Sequence, residues 1–427
     1  MRHKYTYEKP SSDFLNKLVE FSKRYTYSSI LISGDNHDKY SKFNTIAALG
    51  SKEIISSSSN SFKKLLSFHN HHKDWMFGFL SYDIKNEIED LRSENIDQFK
   101  FPNLEFFIPE TILFISAEDI KVESFLSENE VSGLLEEINN FKIIQKEDPD
   151  IKLNFRETKE EFIKKIDTIK KHIQIGDIYE MNYCQEIFSK GNDINPSSVF
   201  WDLHLKSNAP FSVFSKMRNK YLLCSSPERF LQKSENKIIS QPIKGTRKRG
   251  KNNQEDQELI FDLKQSEKDR SENIMIADLV RNDLSRTAEK SSVKAEELCK
   301  IYTFDRVHQM ISTISSNLDE KYNFVDVLET TFPMGSMTGA PKIKSMELIE
   351  KYETTKRSLF SSAYGYITPN TDFDFNVVIR SILYDEINNY ISVMVGGAIT
   401  INSDPKSEYE ECLIKAEAMI DVLKNEK

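Results

Sequence analysis

The stretch FNVVIRSILYDEINNYISVMVGGAIT (375–400) carries the reading of the fold. Two runs rich in β-branched and aromatic residues, FNVVIRSILYD (375–385) and YISVMVGGAIT (390–400), are separated by only four residues. Such side chains pack well on a pleated surface, and a connection this short joins strands antiparallel, as a hairpin. Working outward, IYEMNYCQEIFS (178–189), WMFGFLSYD (75–83) and LEFFIPETILFIS (104–116) also read as strands, the last broken at Pro109, because proline has no N–H for a ladder. In TKEEFIKKIDTIKKHIQIGD (158–177) the apolar residues Phe162, Ile163, Ile166, Ile169 and Ile173 follow helical spacing. Thr158 and Glu161 form a capping box, and Gly176 ends the helix. SEKDRSENIMIADLVRNDL (266–284) and SEYEECLIKAEAMIDVLK (407–424) are two further helices. Strands come in neighbouring pairs rather than alternating with helices, which predicts an α+β fold with antiparallel sheets.

The chain has 427 residues, 38% hydrophobic and 29% charged, too apolar for a disordered chain. A polar segment, KEDPDIKLNFRE (146–157), carries Pro149 and marks a link between a strand-rich N-terminal portion (1–150) and the remainder (151–427), the two co-folding. SSSSNS (56–61) reads as a loop. A net charge of −9 excludes nucleic-acid binding by bulk charge, so an anionic ligand must meet local cations or a metal. The four cysteines, Cys184, Cys224, Cys299 and Cys412, form no CxxC or zinc spacing. They point to free thiols in a reducing, cytoplasmic setting. The N-terminus lacks a signal-peptide pattern, and no apolar run approaches the ~18 residues that span a bilayer.

Two acidic pairs lie on the later helices: Asp269 with Glu272, and Glu408 with Glu411, the last followed four residues on by Lys415. Residues three or four apart share a helix face, and two such faces can enclose a hard cation with oxygen ligands. On spacing alone they are better read as solvated faces. In QPIKGTRKRG (241–250), Lys244 lies between a strand end and a Gly-Thr turn, either in a basic surface loop or as a nucleophile. An amine attacks only when neutral. FPMGSMTGAPKIKSMELI (332–349) is small-residue-rich and runs into a helix, which suits carboxylate binding by backbone amides. Gly396-Gly397 offers the same freedom. HNHHK (69–73) has poor spacing for a helix-borne metal site.

In order along the chain come GDIYEMNYCQ (176–185), SSPERFL (225–231), PIKGTRKRG (242–250), EKDRSENIMIADLVRNDL (267–284), VHQMISTI (307–314), FPMGSMTGAPKIKSMELIE (332–350), VVIRS (377–381), GGAIT (396–400) and EYEECLIKA (408–416). Together they resemble the chorismate-utilising family, which includes component I of anthranilate synthase and of aminodeoxychorismate synthase, isochorismate synthase and salicylate synthase. The resemblance is dense from about residue 155 onward and weaker around FGFLSYD (77–83) and FFIPE (106–110). It implies two antiparallel sheets packed together, helices outside, a central cleft, and a chorismate-binding portion at 151–427. It implies Mg²⁺ held by Glu272 and Glu411, with Asp269 and Glu408 in support, gripping the ring carboxylate of chorismate. Arg380 is the expected partner of the enolpyruvyl carboxylate. Gly396, Gly397, Thr338, Gly339, Thr246 and Lys415 complete the substrate-binding set. Glu228 resembles the general acid that protonates the departing C4 hydroxyl, since hydroxide leaves poorly without a proton.

Lys244 stands where anthranilate enzymes usually have alanine, and matches the aminodeoxychorismate synthases. The resemblance implies attack by the neutral amine at C2 and entry of ammonia at C4. Glu180 matches neither the lysine of the water-adding members nor the usual glutamine of the aminating ones. Gln309 replaces a common histidine beside His308, Phe360 replaces Tyr or Trp, and the LLES element linked to tryptophan feedback is not evident. No GxCxGxQ motif surrounds a cysteine, so the resemblance implies ammonia from a separate glutamine amidotransferase. The rival readings are anthranilate synthase component I and a non-catalytic chorismate-binding subunit.

Overall fold

Ser381–Asp385 pairs antiparallel with Tyr390–Ile399, so the hairpin at the heart of the sequence reading is present. The run 375–385, however, is not one strand. Phe373–Val377 and Ser381–Asp385 belong to different sheets, and the chain crosses between them through residues 378–380, with Arg380 at φ 51°. A positive φ is uncommon for a residue with a Cβ. Both flanking strands are buried, so 375–385 reads as one β-prone run despite Arg380 and Ser381, and the crossing is hidden from a propensity reading.

The structure, a computed structural model, describes residues 1–8, 10–33, 39–143 and 151–424. Among the described residues one sheet has 12 strands. Along its path lie His3–Glu8, Asp119–Ser124, Thr111–Ile115, Thr45–Leu49, Tyr27–Ile32, Phe211–Met217, Lys220–Ser226, Ser381–Asp385, Tyr390–Ile399, Glu180–Lys190 and Gly339–Ala340, with Asn154–Phe155 beside Glu180–Lys190. The other has 10: Ile243–Lys248, Val307–Asn317, Lys237–Gln241, Arg229–Ser234, Phe373–Val377, Ala363–Ile367, Met76–Leu80, Leu104–Ile108 and Glu53–Ser57, with Lys294–Thr303 beside Val307–Asn317. Strands from before and after residue 150 share each sheet. Residues 144–150, with Pro149, lie outside the described residues, and Ile151 is already in the core.

The sheets pack face to face. Tyr27, Ile46, Val213 and Leu383 from the first meet Phe77, Phe79, Phe107 and Tyr364 from the second in one buried cluster. Interdigitation of two inner faces is the packing of a sandwich. A second core joins the outer face of the 12-stranded sheet to the helices Lys159–Gln174 and Pro405–Leu423 through Phe162, Ile166, Tyr183 and Met419. A third joins the other sheet to Glu267–Ser285 and Phe324–Thr331. Among the described residues no helix is long and apolar enough to cross a membrane.

The helix starts follow their caps. Thr158 and Glu161 form the reciprocal box, and Ser266 accepts from the Asp269 N–H. Pro405 extends the last helix two residues earlier than its periodicity indicated, since a first-turn N–H has no intrahelical partner to lose. The SSSSNS loop is shorter than expected. Ser56 and Ser57 close the strand Glu53–Ser57, and Ser61 opens the helix Ser61–His72, where its N–H and hydroxyl bind Glu87.

A wholly buried ion pair ties these layers together. Arg357 donates to Glu353 at 2.6 and 3.0 Å, to the Met337 carbonyl at 2.6 Å and to the Asn182 carbonyl at 3.0 Å. Glu353 in turn accepts the Cys184 N–H at 2.9 Å. Replacing one partner leaves a charge in the core, which costs about 3–5 kcal/mol. Arg357→Leu should therefore lower the denaturation midpoint sharply, and Arg357→Leu/Glu353→Leu should recover part of the loss. Equal midpoints for native and single variant would refute this role.

Candidate active site

Lys244 lies on the edge strand Ile243–Lys248, whose pairing with Val307–Asn317 breaks register between Ile243 and Thr246. A bulge of this kind re-aims a side chain. The Lys244 ammonium donates to Glu180 Oε1 at 3.0 Å. Glu180 opens the strand Glu180–Lys190 and is fully buried. Its carbonyl accepts the Ser345 hydroxyl at 3.1 Å, and Gly339, at φ 145°, packs so close that a Cβ there would lie 2.1 Å from the same carbonyl. Glycine is therefore required at 339.

Glu228 follows Ser226-Pro227 and is buried. The Ser226 hydroxyl accepts its N–H at 3.2 Å, and Ser336 Oγ donates to Oε1 at 2.6 Å. Burial pushes its carboxyl up to about 7, against the Ser336 hydrogen bond and the nearby Lys244 charge. Burial alone would lower the Lys244 ammonium. The Glu180 and Glu272 carboxylates, the hydrogen bond to Glu180 and, less, Glu228 lift it above its ordinary value instead. One amine thus stands in the field of three carboxyls.

The four acids of the two helices also share one neighbourhood. Glu408, Glu272, Glu411 and Asp269 all act on the Lys268 ammonium and outweigh its burial, so its pKa rises. Individually they are held by cations: Glu411 by Lys415 at 2.7 Å, Asp269 by Arg247 at 3.1 Å, Glu408 by Lys268 at 3.7 Å. Glu272 differs. Its Oε1 is buried with no hydrogen-bond partner among the described residues, and burial lifts its carboxyl to about 7. Among the described residues no three His, Cys, Asp or Glu side chains by themselves make a metal group. Mg²⁺ usually takes one or two protein carboxylates and completes its shell with water and substrate. An orphaned glutamate oxygen, on a carboxyl that acts on the same Lys268 ammonium as Glu411, fits that habit.

Gly397 opens onto this cluster, since a Cβ there would lie 3.3 Å from Glu408, 3.5 Å from Lys415 and 3.9 Å from Glu411. Gly396 serves the sheet, since a Cβ there would lie 2.2 Å from the Tyr183 carbonyl of the next strand. Lys415 also reaches the Gly396 carbonyl at 2.9 Å, and Arg380 donates to the Lys415 carbonyl at 2.8 Å. Arg380, Lys415, Glu411 and Gly397 thus converge. Thr338 is buried and its hydroxyl is spent on the Met334 carbonyl at 3.2 Å, and Thr246 is exposed on the edge strand. His308 turns away to Asp256 at 2.9 Å, while Gln309 has a buried Oε1 with no hydrogen-bond partner among the described residues. Of the HNHHK run, His69 is a core residue held against the Thr368 carbonyl at 3.0 Å. Sequence reasoning passed over Lys268, Ser336 and Asn182, whose amide binds the Ser336 carbonyl. Ser336 lay inside a quoted motif, but a serine carries no signal of its partner.

Residues 21–421 match the family model described as chorismate binding enzyme. The chain belongs to the chorismate-binding enzyme family. It is 38% identical to a probable chloroplastic aminodeoxychorismate synthase of Oryza sativa subsp. japonica over 61% of this chain and 29% of that protein. It is 31% identical to aminodeoxychorismate synthase component 1 of Bacillus subtilis over 80% of this chain and 75% of that one. It is 30% identical to anthranilate synthase component 1 of Aquifex aeolicus over 86% and 79%. The chain thus spans under a third of the rice protein and about three quarters of the bacterial ones. Its fold is that of anthranilate synthase component I from Streptococcus pneumoniae, with a TM-score of 0.78 at 23% identity over 90% and 93% of the two chains.

A buried carboxyl whose pKa is raised on folding stabilises the protein below its unfolded value and loses that benefit as pH rises through the folded one. For Glu228 the window runs from about 4.5 to about 7. Glu228→Gln should therefore be more thermally stable than the native protein at about pH 8, by on the order of 3 kcal/mol, and gain nothing at about pH 4. Calorimetry at both pH values checks this.

Proposed function

We propose that this family member is the aminating component of an aminodeoxychorismate synthase, replacing the C4 hydroxyl of chorismate with ammonia to give 4-amino-4-deoxychorismate for 4-aminobenzoate and folate synthesis. The observation that carries the reading is Lys244: an amine on a side chain only 11% exposed, hydrogen-bonded to one carboxylate and within the field of a second carboxyl that burial has lifted to about 7. A group with that value is half protonated near neutrality and suits a general acid.

In this reading Lys244 Nζ attacks C2 while Glu228 delivers a proton to the C4 oxygen, which departs as water. Ammonia then enters at C4 and the C2–N bond returns its electrons to Lys244. Ser336 holds the Glu228 carboxyl in place. Arg380 and the Gly397 backbone receive the enolpyruvyl carboxylate. Glu272 and Glu411 would hold Mg²⁺, with Asp269 and Glu408 behind them, and the ion would supply positive charge for the ring carboxylate. All four cysteines are buried, and burial pushes each thiol up, which suits none of them to glutamine hydrolysis. Ammonia then comes from a separate glutamine amidotransferase. Amination at C2, as the names of the anthranilate relatives imply for those proteins, is the second reading, and an amine bonded at C2 obstructs it.

Chorismate, Mg²⁺ and an ammonium salt should yield 4-amino-4-deoxychorismate by liquid chromatography and mass spectrometry, with 4-aminobenzoate only after a lyase is added. Anthranilate fluorescence would overturn the C4 assignment, and no chorismate consumption would favour a non-catalytic subunit. Glu228→Gln should cut kcat by roughly 10²–10⁴-fold. The native rate should fall as pH rises through about 7, because the acid then lacks its proton.

A further inference from the structure

We infer that Glu180 is the proton acceptor that frees the Lys244 amine for attack, an assignment that rests on the reading of Lys244 as nucleophile. An ammonium has no lone pair, so the nucleophile must shed a proton before it reacts. Lys244 Nζ donates to Glu180 Oε1 at 3.0 Å. The Glu180 side chain is wholly buried, and its Oε2 has no hydrogen-bond partner among the described residues, so nothing else claims that carboxylate. Three carboxyls face the amine: Glu180 from the strand Glu180–Lys190, Glu272 from the helix Glu267–Ser285, and Glu228 from the segment before Arg229–Ser234. Glu228 is taken by Ser336 and must carry a proton toward the leaving oxygen. Glu272 stands among the acids around Lys268. Glu180 alone of the three hydrogen-bonds the ammonium among the described contacts.

The proton ledger closes without an outside reagent. One Nζ–H bond breaks and its proton goes to Glu180 Oε1, leaving a neutral amine and a carboxylic acid. The amine lone pair forms the C2–N bond, the ring double bonds shift, and the C4–O bond breaks as Glu228 supplies the proton that makes water. Ammonia bonds to C4 as an ammonium, the C2–N pair returns to Nζ, the neutral amine takes its proton back from Glu180, and the C4 ammonium gives its extra proton to Glu228, which restores the acid. Substrate closure favours the transfer. Lys244 is only 11% exposed before chorismate arrives, and removing the last water from an ion pair favours its neutral form.

Glu180→Gln separates this role from a simple charge partnership. If Glu180 merely holds the ammonium, neutralising it weakens that hold, leaves more free amine, and C4 amination near pH 7.5 stays level or rises. As the acceptor, its loss should cut kcat by about 100-fold or more, with chorismate KM near native, and the ratio of variant to native kcat should climb with pH as hydroxide takes over. Glu180→Asp, which keeps an acceptor, should show a reduced kcat with the native pH dependence. A Gln variant as fast as native, or Asp and Gln variants that fall alike with one pH dependence, overturns the inference and leaves the C4 reading standing. A native protein that makes no 4-amino-4-deoxychorismate overturns that reading, and the inference with it.

Discussion

The Arg357 guanidinium is where the scaffold and the reaction site meet. It grips the Met337 carbonyl of the small-residue loop and the Asn182 carbonyl of the strand Glu180–Lys190, and its charge is balanced by Glu353, which also binds the Cys184 N–H. Ser336 precedes Met337 and holds Glu228, and Glu180 opens the strand that carries Asn182. Glu228 and Glu180 are thus registered against each other through one buried cation. Buried ion pairs contribute little net stability compared with apolar packing. Here the pair fixes geometry, because a planar guanidinium forms several directed bonds at once.

The charge pattern of the cleft follows from desolvation. Glu228 and Glu272 are both lifted to about 7, while Lys244 and Lys268 are held charged by surrounding carboxylates. The two carboxyls are therefore half protonated near neutrality, while the two amines stay charged there. Against a net charge of −9, cations gather locally: Lys244 and Lys268 share the field of Glu272, and Arg380 donates to the carbonyl of Lys415, whose ammonium holds Glu411.

Much of this was legible in the residues. The helices at 158–177 and 266–284 announced themselves through caps and spacing, and the hairpin through its short gap. Glu272, Glu411 and Lys244 were named because their motifs resemble a family, while their spacing alone favoured solvated faces. The crossing at Arg380 was hidden, since two buried strands in different sheets read as one β-prone run. Ser336 and Lys268 were missed because their importance lies in partners over a hundred residues away, Glu228 and Glu408. Thr246 pairs with Gln309 just past the register break beside Lys244 and is exposed.

The crossover at 378–380 constrains how this scaffold can change. Its ends are stitched to both layers, with Ser225 N–H bound to the Arg380 carbonyl at 3.0 Å and Val378 N–H to the Ser362 carbonyl at 2.8 Å. A guanidinium anchored at such a seam cannot be relocated by slipping either sheet by one residue. Variation on this framework is therefore expected to fall in the loops and helices around a stationary arginine, which makes that position a fixed origin for the geometry of its surroundings.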